Sequence, residues 1–397
     1  MKSMKQEDWK RGMKMNEIVI DWNEVKKEYK KLKVPKDLFN PLSEPLNNAK
    51  WFIELSERAT GKTNNWLLIG LILNIKYGII VQYCRETEEM TTPKFMSECM
   101  AVLLNPQYRY IEILTDGKYN YMTYKAKKWR YAKIDENGKV IEECPQHCIF
   151  VLSLDKHDIY KSSYNCPTGD LFIFDEFIGK YYRPDSFYHL CDILSTVFRK
   201  RTNPFIVMLG NNINVNSPYF NEMGIQQDIV RMNVGDSKIV ESKGGTLISI
   251  TFIGLKNNKE KEKHNRLFFG FNNPKLNSIT GCGNWAFNLH PLIIYNDEEE
   301  IIEGGIFVEY NKNYFRLELR WNDTIGYYVN ATPFQKPKNP KVIYTLNQPT
   351  NKYEKYKTGY SQFDRKVWEL YKRNKFFYSS NYVGDCIEDF FKQSKFY

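Results

Sequence analysis

The feature that most constrains this chain is a short apolar segment that runs directly into Gly61-Lys62-Thr63. Residues 51–55 (WFIEL) are typical of a buried β-strand, and residues 64–77 (NNWLLIGLILNIKY) are typical of a helix. A loop between a buried strand and a helix start presents successive backbone N–H groups, and the helix N-terminus favours negative charge beside it. The segment therefore predicts a phosphate-binding loop within an α/β fold.

The predicted loop, residues 56–63 (SERATGKT), contains the residue types that hold a nucleotide and its metal ion. We expect Lys62 to bridge the β- and γ-phosphates of ATP and the Thr63 hydroxyl to bind Mg²⁺. The usual pattern begins with glycine, and Ser56 occupies that position here. The predicted nucleotide-binding residues are Ser56, Glu57, Arg58, Ala59, Thr60, Gly61, Lys62 and Thr63.

A second motif, residues 169–177 (GDLFIFDEF), places two consecutive acids at the end of an apolar strand. Side chains alternate along a strand, so Asp175 and Glu176 leave it in different directions and can take different roles. We expect Asp175 to reach the Mg²⁺ ion and Glu176 to act as the general base for the attacking water. Each motif supports the other, because neither performs this chemistry alone.

Polar and basic residues around a further strand complete the predicted site. Residues 203–212 (NPFIVMLGNN) form an apolar strand that ends in amides, and Asn211, with Asn212 as second choice, is the expected sensor of the γ-phosphate or the water. Phosphoryl transfer also needs additional positive charge. The candidate arginines are Arg58 in the loop and Arg199 and Arg201 in residues 195–202 (STVFRKRT). Arg85, after the second strand, is a candidate contact for the nucleotide or for a lid.

The apolar segments predict a parallel α/β sheet, because continuous apolar runs fit strands that are buried on both faces. Residues 108–143 alternate instead and contain Asp116-Gly117 and Asn137-Gly138, which predicts an antiparallel insertion with two hairpin turns. The predicted strands of the parallel sheet are 51–55, 78–83, 148–154, 170–175 and 204–209.

The domain organisation follows from these patterns. We expect an N-terminal arm at 1–47 with a helix at 22–32, an ATPase domain at 48–255, a charged exposed linker at 256–266, and an α+β domain at 267–397. In this last domain the pattern predicts strands at 305–310, 314–321 and 327–330, and helices at 363–373 and 385–395.

Composition adds weaker indications. The net charge of +10 favours a polyanionic partner, because Lys and Arg release counterions from phosphates. The basic and aromatic residues 124–131 (YKAKKWRY) could contact such phosphates or could form a solvated hairpin face. The eight cysteines follow a polar start without an apolar leader and are expected to be reduced thiols, and residues 144–148 (CPQHC) lack the second ligand pair of a zinc finger. The sequence contains no apolar run of about 18 residues, so we expect no membrane span.

These motifs, in this order, resemble the DNA-packaging ATPases of tailed phages, which include the large terminases. The closer resemblance is to the DNA-encapsidation protein of small short-tailed phages. The loop resembles the deviant phosphate loop of terminases, in which an arginine lies three residues before the glycine, as Arg58 does. The resemblance is good over about residues 36–235 and includes 172–177 (FIFDEF), the arginine-finger segment 196–201 (TVFRKR), and 209–220 (LGNNINVNSPYF).

The resemblance implies a P-loop NTPase of the ASCE type that uses ATP and Mg²⁺. It implies a homo-oligomeric ring, of five subunits in this family, which docks on the capsid portal and drives double-stranded DNA through its centre. Arg199 or Arg201 would then act on the neighbouring subunit. The implied location is the host cytoplasm and, transiently, the portal vertex of the procapsid. Part of the family also uses a packaging RNA between motor and portal, and the sequence leaves this open.

For residues 267–397 the resemblance implies an RNase-H-like domain. Nucleases of this fold hold two Mg²⁺ ions with acids clustered at strand ends. The expected first aspartate is missing; Glu309 is the nearest acid, and Asp385 is a candidate late one. We therefore expect a vestigial, inactive nuclease domain that binds DNA, RNA or the portal.

Three alternatives remain at this stage. A helicase or another P-loop ATPase would share Lys62, Asp175 and Glu176 but would not depend on a portal. A complete terminase would bind metal at Glu309 and Asp385. A basic two-domain binding protein would carry the motifs by coincidence and would not bind ATP.

Overall fold

The chain divides into two compact units. Unit 1 contains the described residues within 1–179, 185–211 and 232–258, and unit 2 contains those within 180–184, 212–231 and 259–397. The predicted linker at 256–266 lies outside the described residues. The computed structural model describes residues 18–43, 46, 49–56, 60–164, 166, 168–178, 185–199, 201, 203–211, 217–233, 235–242, 244–254, 290–293, 300–323, 325–356 and 362–394.

Unit 1 is built on a ten-stranded sheet with the order β3-β4-β6-β2-β7-β8-β1-β10-β9, in which β5 pairs with β4. The strands are β1 (Trp51–Ser56), β2 (Val81–Arg85), β3 (Tyr121–Lys125), β4 (Lys128–Ile134), β5 (Val140–Glu143), β6 (Ile149–Ser153), β7 (Leu171–Asp175), β8 (Phe205–Gly210), β9 (Ser237–Glu241) and β10 (Leu247–Ile253).

The centre of this sheet is parallel, from β6 through β2, β7, β8 and β1 to β10. The five predicted strands are β1, β2, β6, β7 and β8, so the predicted parallel sheet is confirmed. Every residue of β6, β7 and β8 is buried, which is why these segments read as continuous apolar runs. The carboxyl ends of parallel strands meet at one edge of the sheet, and the predicted site residues lie there.

The longest helix of unit 1, α2, follows β1 and packs on β2 and β7, and also on α1 and α4. Its residues from Trp66 to Leu73 are buried on all sides, and it ends where Gly78 takes a left-handed φ of 70°. The helices are α1 (Trp22–Lys31), α2 (Lys62–Tyr77), α3 (Pro93–Cys99), α4 (Tyr110–Leu114), α5 (His157–Ser163) and α6 (Ser186–Val197).

The segment before β1 is part of the core of unit 1. Asp21 caps α1 by accepting hydrogen bonds from the N–H groups of Asn23 and Glu24. Val25, Tyr29 and Leu32 then pack in the same apolar cluster as α2. Further along, the Phe39 N–H donates to the Thr60 carbonyl at 3.0 Å, so the predicted arm touches the predicted phosphate loop.

The insertion at 108–143 differs from the prediction in two details. Its first part is the helix α4, so the turn at Asp116-Gly117 joins a helix to β3 and does not connect two strands. The tight turn between β3 and β4 lies at Ala126 and Lys127, whose φ values are 51° and 58°. Such turns usually contain Asn or Gly, so the residue types at 126 and 127 do not indicate this one.

Unit 2 contains α7 (Pro218–Met223), α8 (Gln226–Val230) and a six-stranded sheet with the order β15-β14-β11-β12-β13-β16. The helices α9 (Gln362–Lys372) and α10 (Asn381–Ser394) pack on it. The strands are β11 (Glu300–Tyr310), β12 (Asn313–Asn322), β13 (Gly326–Phe334), β14 (Val342–Thr345), β15 (Glu354–Tyr356) and β16 (Phe376–Tyr378). The three predicted strands and two predicted helices of this region are present.

Two sequence features have limited structural consequences. The seven cysteines within the described residues are all free thiols, and Cys148 is buried at the start of β6. Among the helices that the structure describes, none is both long enough and apolar enough to cross a membrane.

Leu32, which is 3% exposed, tests whether the segment before β1 belongs to the cooperative core. We expect Leu32→Ala to lower the free energy of unfolding by about 2–5 kcal/mol, because it leaves a cavity between α1 and α2. Lys30→Ala, on the exposed face of α1, is the matched control and should change it by no more than about 0.5 kcal/mol. Urea unfolding followed by tryptophan fluorescence measures both. Equal effects would show that α1 docks only loosely.

Candidate functional site

The loop between β1 and α2 turns at Gly61, which has a φ of 82°. This left-handed conformation strains residues with a side chain, and a Cβ at Gly61 would also lie 3.1 Å from Leu38. Ser56 has no positive φ, so the first position of the loop does not require glycine. Glu57, Arg58 and Ala59 lie outside the described residues.

Lys62, the first residue of α2, is buried and makes internal hydrogen bonds. Its ammonium group donates to the Ser56 hydroxyl at 2.7 Å and to Oδ1 of Asn211, the residue after β8. The Ser56 and Thr60 hydroxyls lie 2.6 Å apart. Burial lowers the pKa of Lys62 to about 8, although Asp175, Glu54 and Glu176 oppose this shift. The structure therefore brings three predicted residues, Ser56, Lys62 and Asn211, into direct contact.

Asp175 ends β7 and accepts hydrogen bonds on both carboxylate oxygens. Oδ1 accepts from the Thr63 hydroxyl at 2.9 Å and from the Glu176 N–H at 3.1 Å. Oδ2 accepts from the Tyr83 hydroxyl at 2.6 Å and from Nη1 of Arg85 at 2.7 Å. Burial, together with the charge of Asp175, raises the pKa of Tyr83 well above its usual value, so Tyr83 remains a hydroxyl donor.

Arg85 binds both acids of the predicted pair. Nη2 donates to Oε2 of Glu176 at 2.7 Å, while Nη1 donates to Asp175. The Arg85 side chain is 11% exposed and that of Asp175 is 5% exposed, whereas that of Glu176 is 46% exposed. Glu176 has a φ of 54°, a conformation that non-glycine residues adopt at a cost and that is concentrated at functional sites. The Arg85 guanidinium thus binds one oxygen of Glu176, the residue that was predicted to be the general base.

A pocket of about 310 Å³ opens beside the two acids. One side of it is polar and includes Thr63, Arg85 and Glu176, and the other side is formed mainly by apolar residues around α3. The residues of this second side are Met90, Phe95, Met96, Glu98 and Cys99.

The residues at this sheet edge fit a nucleotide with a magnesium ion. The Thr63 hydroxyl and the Asp175 carboxylate are hard oxygen donors, which Mg²⁺ prefers. The first turn of α2 carries N–H groups without intrahelical partners, which suit phosphate oxygens. Lys62 supplies a buried positive charge next to them. This donor set can bind phosphate and metal and can place an acid near both.

The two arginines before β8 have different surroundings. Arg201 donates from Nη2 to the Cys166 carbonyl at 2.9 Å, and its Nη1 lies 3.7 Å from Oδ2 of Asp170. Its side chain is only 10% exposed, whereas Arg199 is exposed. Asn212, the second amide candidate, lies outside the described residues.

Sequence reasoning missed Tyr83 and assigned Arg85 only to a contact with nucleotide or a lid. Both residues lie on β2, two positions apart, and therefore project to the same face of the sheet. A tyrosine and an arginine two positions apart at a strand end indicate a polar site only once β2 is known to lie next to β7.

The two acids proposed for a nuclease centre have other partners in unit 2. Oε2 of Glu309 accepts from the Thr345 hydroxyl at 2.6 Å and from Nδ2 of Asn347 at 3.0 Å. Asp385 lies 2.9 Å from Nε2 of His290, and with His290 and Glu388 it forms a group close enough to share a metal ion. Among the described residues, Glu309 belongs to no such group.

The sequence matches no protein-family model and no curated protein sequence. Solved structures that share its fold include the bacteriophage Phi-29 viral genome packaging motor assembly, with a TM-score of 0.51, 16% identity, and coverage of 90% of this chain and 99% of that chain. The Phi-28 gp11 DNA packaging motor gives a TM-score of 0.50 and 16% identity, and the match covers 91% of this chain and 99% of that one. The chain therefore has the fold of phage DNA-packaging motor proteins, which confirms the predicted resemblance at the level of the fold.

Loss of the Arg85 side chain should destabilise the nucleotide-free protein. Arg85→Met leaves Asp175 buried without its cation, which should lower the free energy of unfolding by about 3–5 kcal/mol. Arg109→Met is the matched control, because Arg109 pairs with Glu112 on the surface, where ion pairs contribute little to stability. Urea unfolding without nucleotide compares the two. If Arg85→Met lowers the free energy of unfolding no more than the control does, Arg85 is not the cation that stabilises the buried Asp175.

Proposed function

We propose that this chain is an ATP-hydrolysing motor that translocates double-stranded viral DNA into a preformed capsid through the portal. The observation that carries the proposal is the convergence of Lys62, Thr63, Asp175 and Glu176 at the carboxyl edge of a parallel sheet. The fold shared with phage packaging motors over about nine-tenths of the chain supports the same function.

The order of the strands supports an ASCE-type P-loop domain. β8 lies between β1 and β7, so one additional strand separates the phosphate loop from the acid pair. A glutamate follows the metal-binding aspartate directly, as this type requires. Residues 48–255, apart from those in unit 2, would form this ATPase domain, together with α1.

Binding of ATP would exchange internal hydrogen bonds for contacts with phosphate. The loop N–H groups and the Lys62 ammonium would take the phosphate oxygens, and Lys62 would leave Ser56 and Asn211. Thr63 and Asp175 would hold Mg²⁺, which neutralises charge on the β- and γ-phosphate oxygens. Asn211, once released, could orient the attacking water.

General-base action by Glu176 would be favoured once Arg85 releases its Oε2 oxygen. In the nucleotide-free arrangement the guanidinium holds Oε2 of Glu176 at 2.7 Å, which opposes general-base action. We infer that the negative γ-phosphate competes with the acids for Arg85 and so frees the base when ATP is present.

Arg199 is the preferred arginine finger for a neighbouring subunit in a ring, here proposed to be a pentamer. It is exposed, whereas Arg201 is held by Cys166 and Asp170 of its own chain. Arg58 remains a candidate for charge within the same subunit. An arginine supplied by a neighbour couples turnover to ring assembly.

Unit 2 is proposed to be an RNase-H-like domain without nuclease activity. The strand order β13-β12-β11-β14-β15 has three antiparallel strands followed by two that run parallel to β11, as that fold does. Glu309 on β11 is hydrogen-bonded to Thr345 and Asn347, and these neutral groups would not supply the second acid of a metal pair. The domain would bind DNA, the portal or a packaging RNA.

The proposed place of action follows from the function. The protein would be made in the host cytoplasm and would assemble transiently at the portal vertex of the procapsid. Its net charge of +10 favours contact with nucleic acid.

Glu176→Gln should abolish ATP turnover while ATP still binds. Loss of a general base costs about 10²–10⁴-fold in rate, and the amide keeps the size of the side chain. The measurement is ATP hydrolysis by the purified protein with and without double-stranded DNA, beside equilibrium binding of ATP. Lys62→Ala is the comparison variant and should lose binding itself, because the buried cation is gone. Wild-type turnover in Glu176→Gln would exclude it as the base, and absence of ATP binding by the wild type would overturn the proposed function.

A mixing experiment tests the finger in trans. Arg199→Ala rings and Glu176→Gln rings should each be inactive, whereas mixed rings should recover ATP hydrolysis, because some interfaces then pair an intact base with an intact finger. Arg201→Ala is the matched comparison and should instead lower the free energy of unfolding, since its partners lie in its own chain. Mixed rings that stay inactive would exclude Arg199 as a trans finger.

A further inference from the structure

The hydroxyl of Tyr83 is directed at the acid that is proposed to bind the metal ion. Tyr83 is completely buried in β2, which pairs with β7, and it donates to Oδ2 of Asp175 at 2.6 Å. The same hydroxyl lies 3.0 Å from the sulfur of Cys99 and 3.3 Å from Nη1 of Arg85. It therefore contacts the carboxylate oxygen that Thr63 does not contact.

The donors around Asp175 differ in what the proposed reaction requires of them. Thr63 would turn its oxygen to the metal ion, and Arg85 would leave with the release of Glu176. The Glu176 N–H and the Tyr83 hydroxyl have no other proposed task. Of these two, Tyr83 alone contacts Oδ2, so it is the group that can hold that oxygen throughout the reaction.

We propose that Tyr83 is a positioning residue, which fixes the Asp175 carboxylate so that Oδ1 faces Thr63 and the bound Mg²⁺ ion. This inference rests on the proposed function and adds a specific residue to it. Without the hydroxyl, Oδ2 would be buried with Arg85 as its remaining side-chain donor. The carboxylate would then rotate more freely, or it would keep Arg85 as its partner and favour the arrangement in which Arg85 binds both acids.

A purely structural role for Tyr83 gives a different expectation. The ring lies in the apolar core of unit 1, and phenylalanine fills the same volume. If packing were its only role, Tyr83→Phe would behave like any other buried tyrosine that loses its hydroxyl. Tyr131→Phe is the matched control, because Tyr131 is 5% exposed in the same core and its hydroxyl donates a long hydrogen bond, 3.5 Å, to the Leu71 carbonyl.

The experiment compares binding of fluorescent methylanthraniloyl-ADP to the full chain in EDTA and at increasing Mg²⁺ concentration. In EDTA we expect wild type, Tyr83→Phe and Tyr131→Phe to bind within about twofold of one another, because the phosphate loop is intact in all three. For Tyr83→Phe the Mg²⁺ concentration that gives half of the metal-dependent gain should rise by about 10–100-fold, the usual effect of losing a partner of a metal ligand. Tyr131→Phe should keep the wild-type Mg²⁺ requirement.

The outcomes separate this inference from the proposed function. If wild type shows metal-dependent nucleotide binding and Tyr83→Phe has the same Mg²⁺ requirement, the positioning role is overturned and the proposed function stands. Equal weakening of Tyr83→Phe with and without Mg²⁺ would also overturn it, because the effect would then be structural. If wild type binds no nucleotide in either condition, the proposed function itself fails.

Discussion

The hydrogen bonds to Asp175 are the interaction on which the rest of the site depends. The Asp175 side chain is only 5% exposed, so donors must replace the water that its carboxylate loses on burial. Those donors come from the start of α2, from two positions of β2 and from the residue after β7. The proposed phosphate loop, β2 and the acid pair are therefore linked by direct hydrogen bonds to one carboxylate.

The positive charges of the site are paired in the same way. Lys62 is engaged by Ser56 and Asn211, and Arg85 by both acids, so these two cations of the described site both have partners within the chain. In the proposed function, a nucleotide would exchange these internal contacts for its own. The positive φ of Glu176 fits this view, because a strained conformation persists only where its surroundings impose it.

The sequence predicted the parallel core strands, the loop and the acid pair, because each of these is encoded within about ten residues by apolar runs and punctuation. It failed at two short segments of the insertion, where the local pattern is weak. The helix α4 is only five residues long and amphipathic patterns of that length are ambiguous. Ala126 and Lys127 adopt left-handed conformations, which these residue types do not predict.

The sequence by itself determined the chemistry available at the ends of β1, β7 and β8, since Lys62, Thr63, Asp175, Glu176 and Asn211 all follow local motifs. Only the tertiary structure decided which groups meet. Parallel strands pair with segments far away in the chain, so no local pattern could show that β2 lies beside β7 and β8 beside β1. That strand order brings the phenol and the guanidinium of β2 to the acid pair.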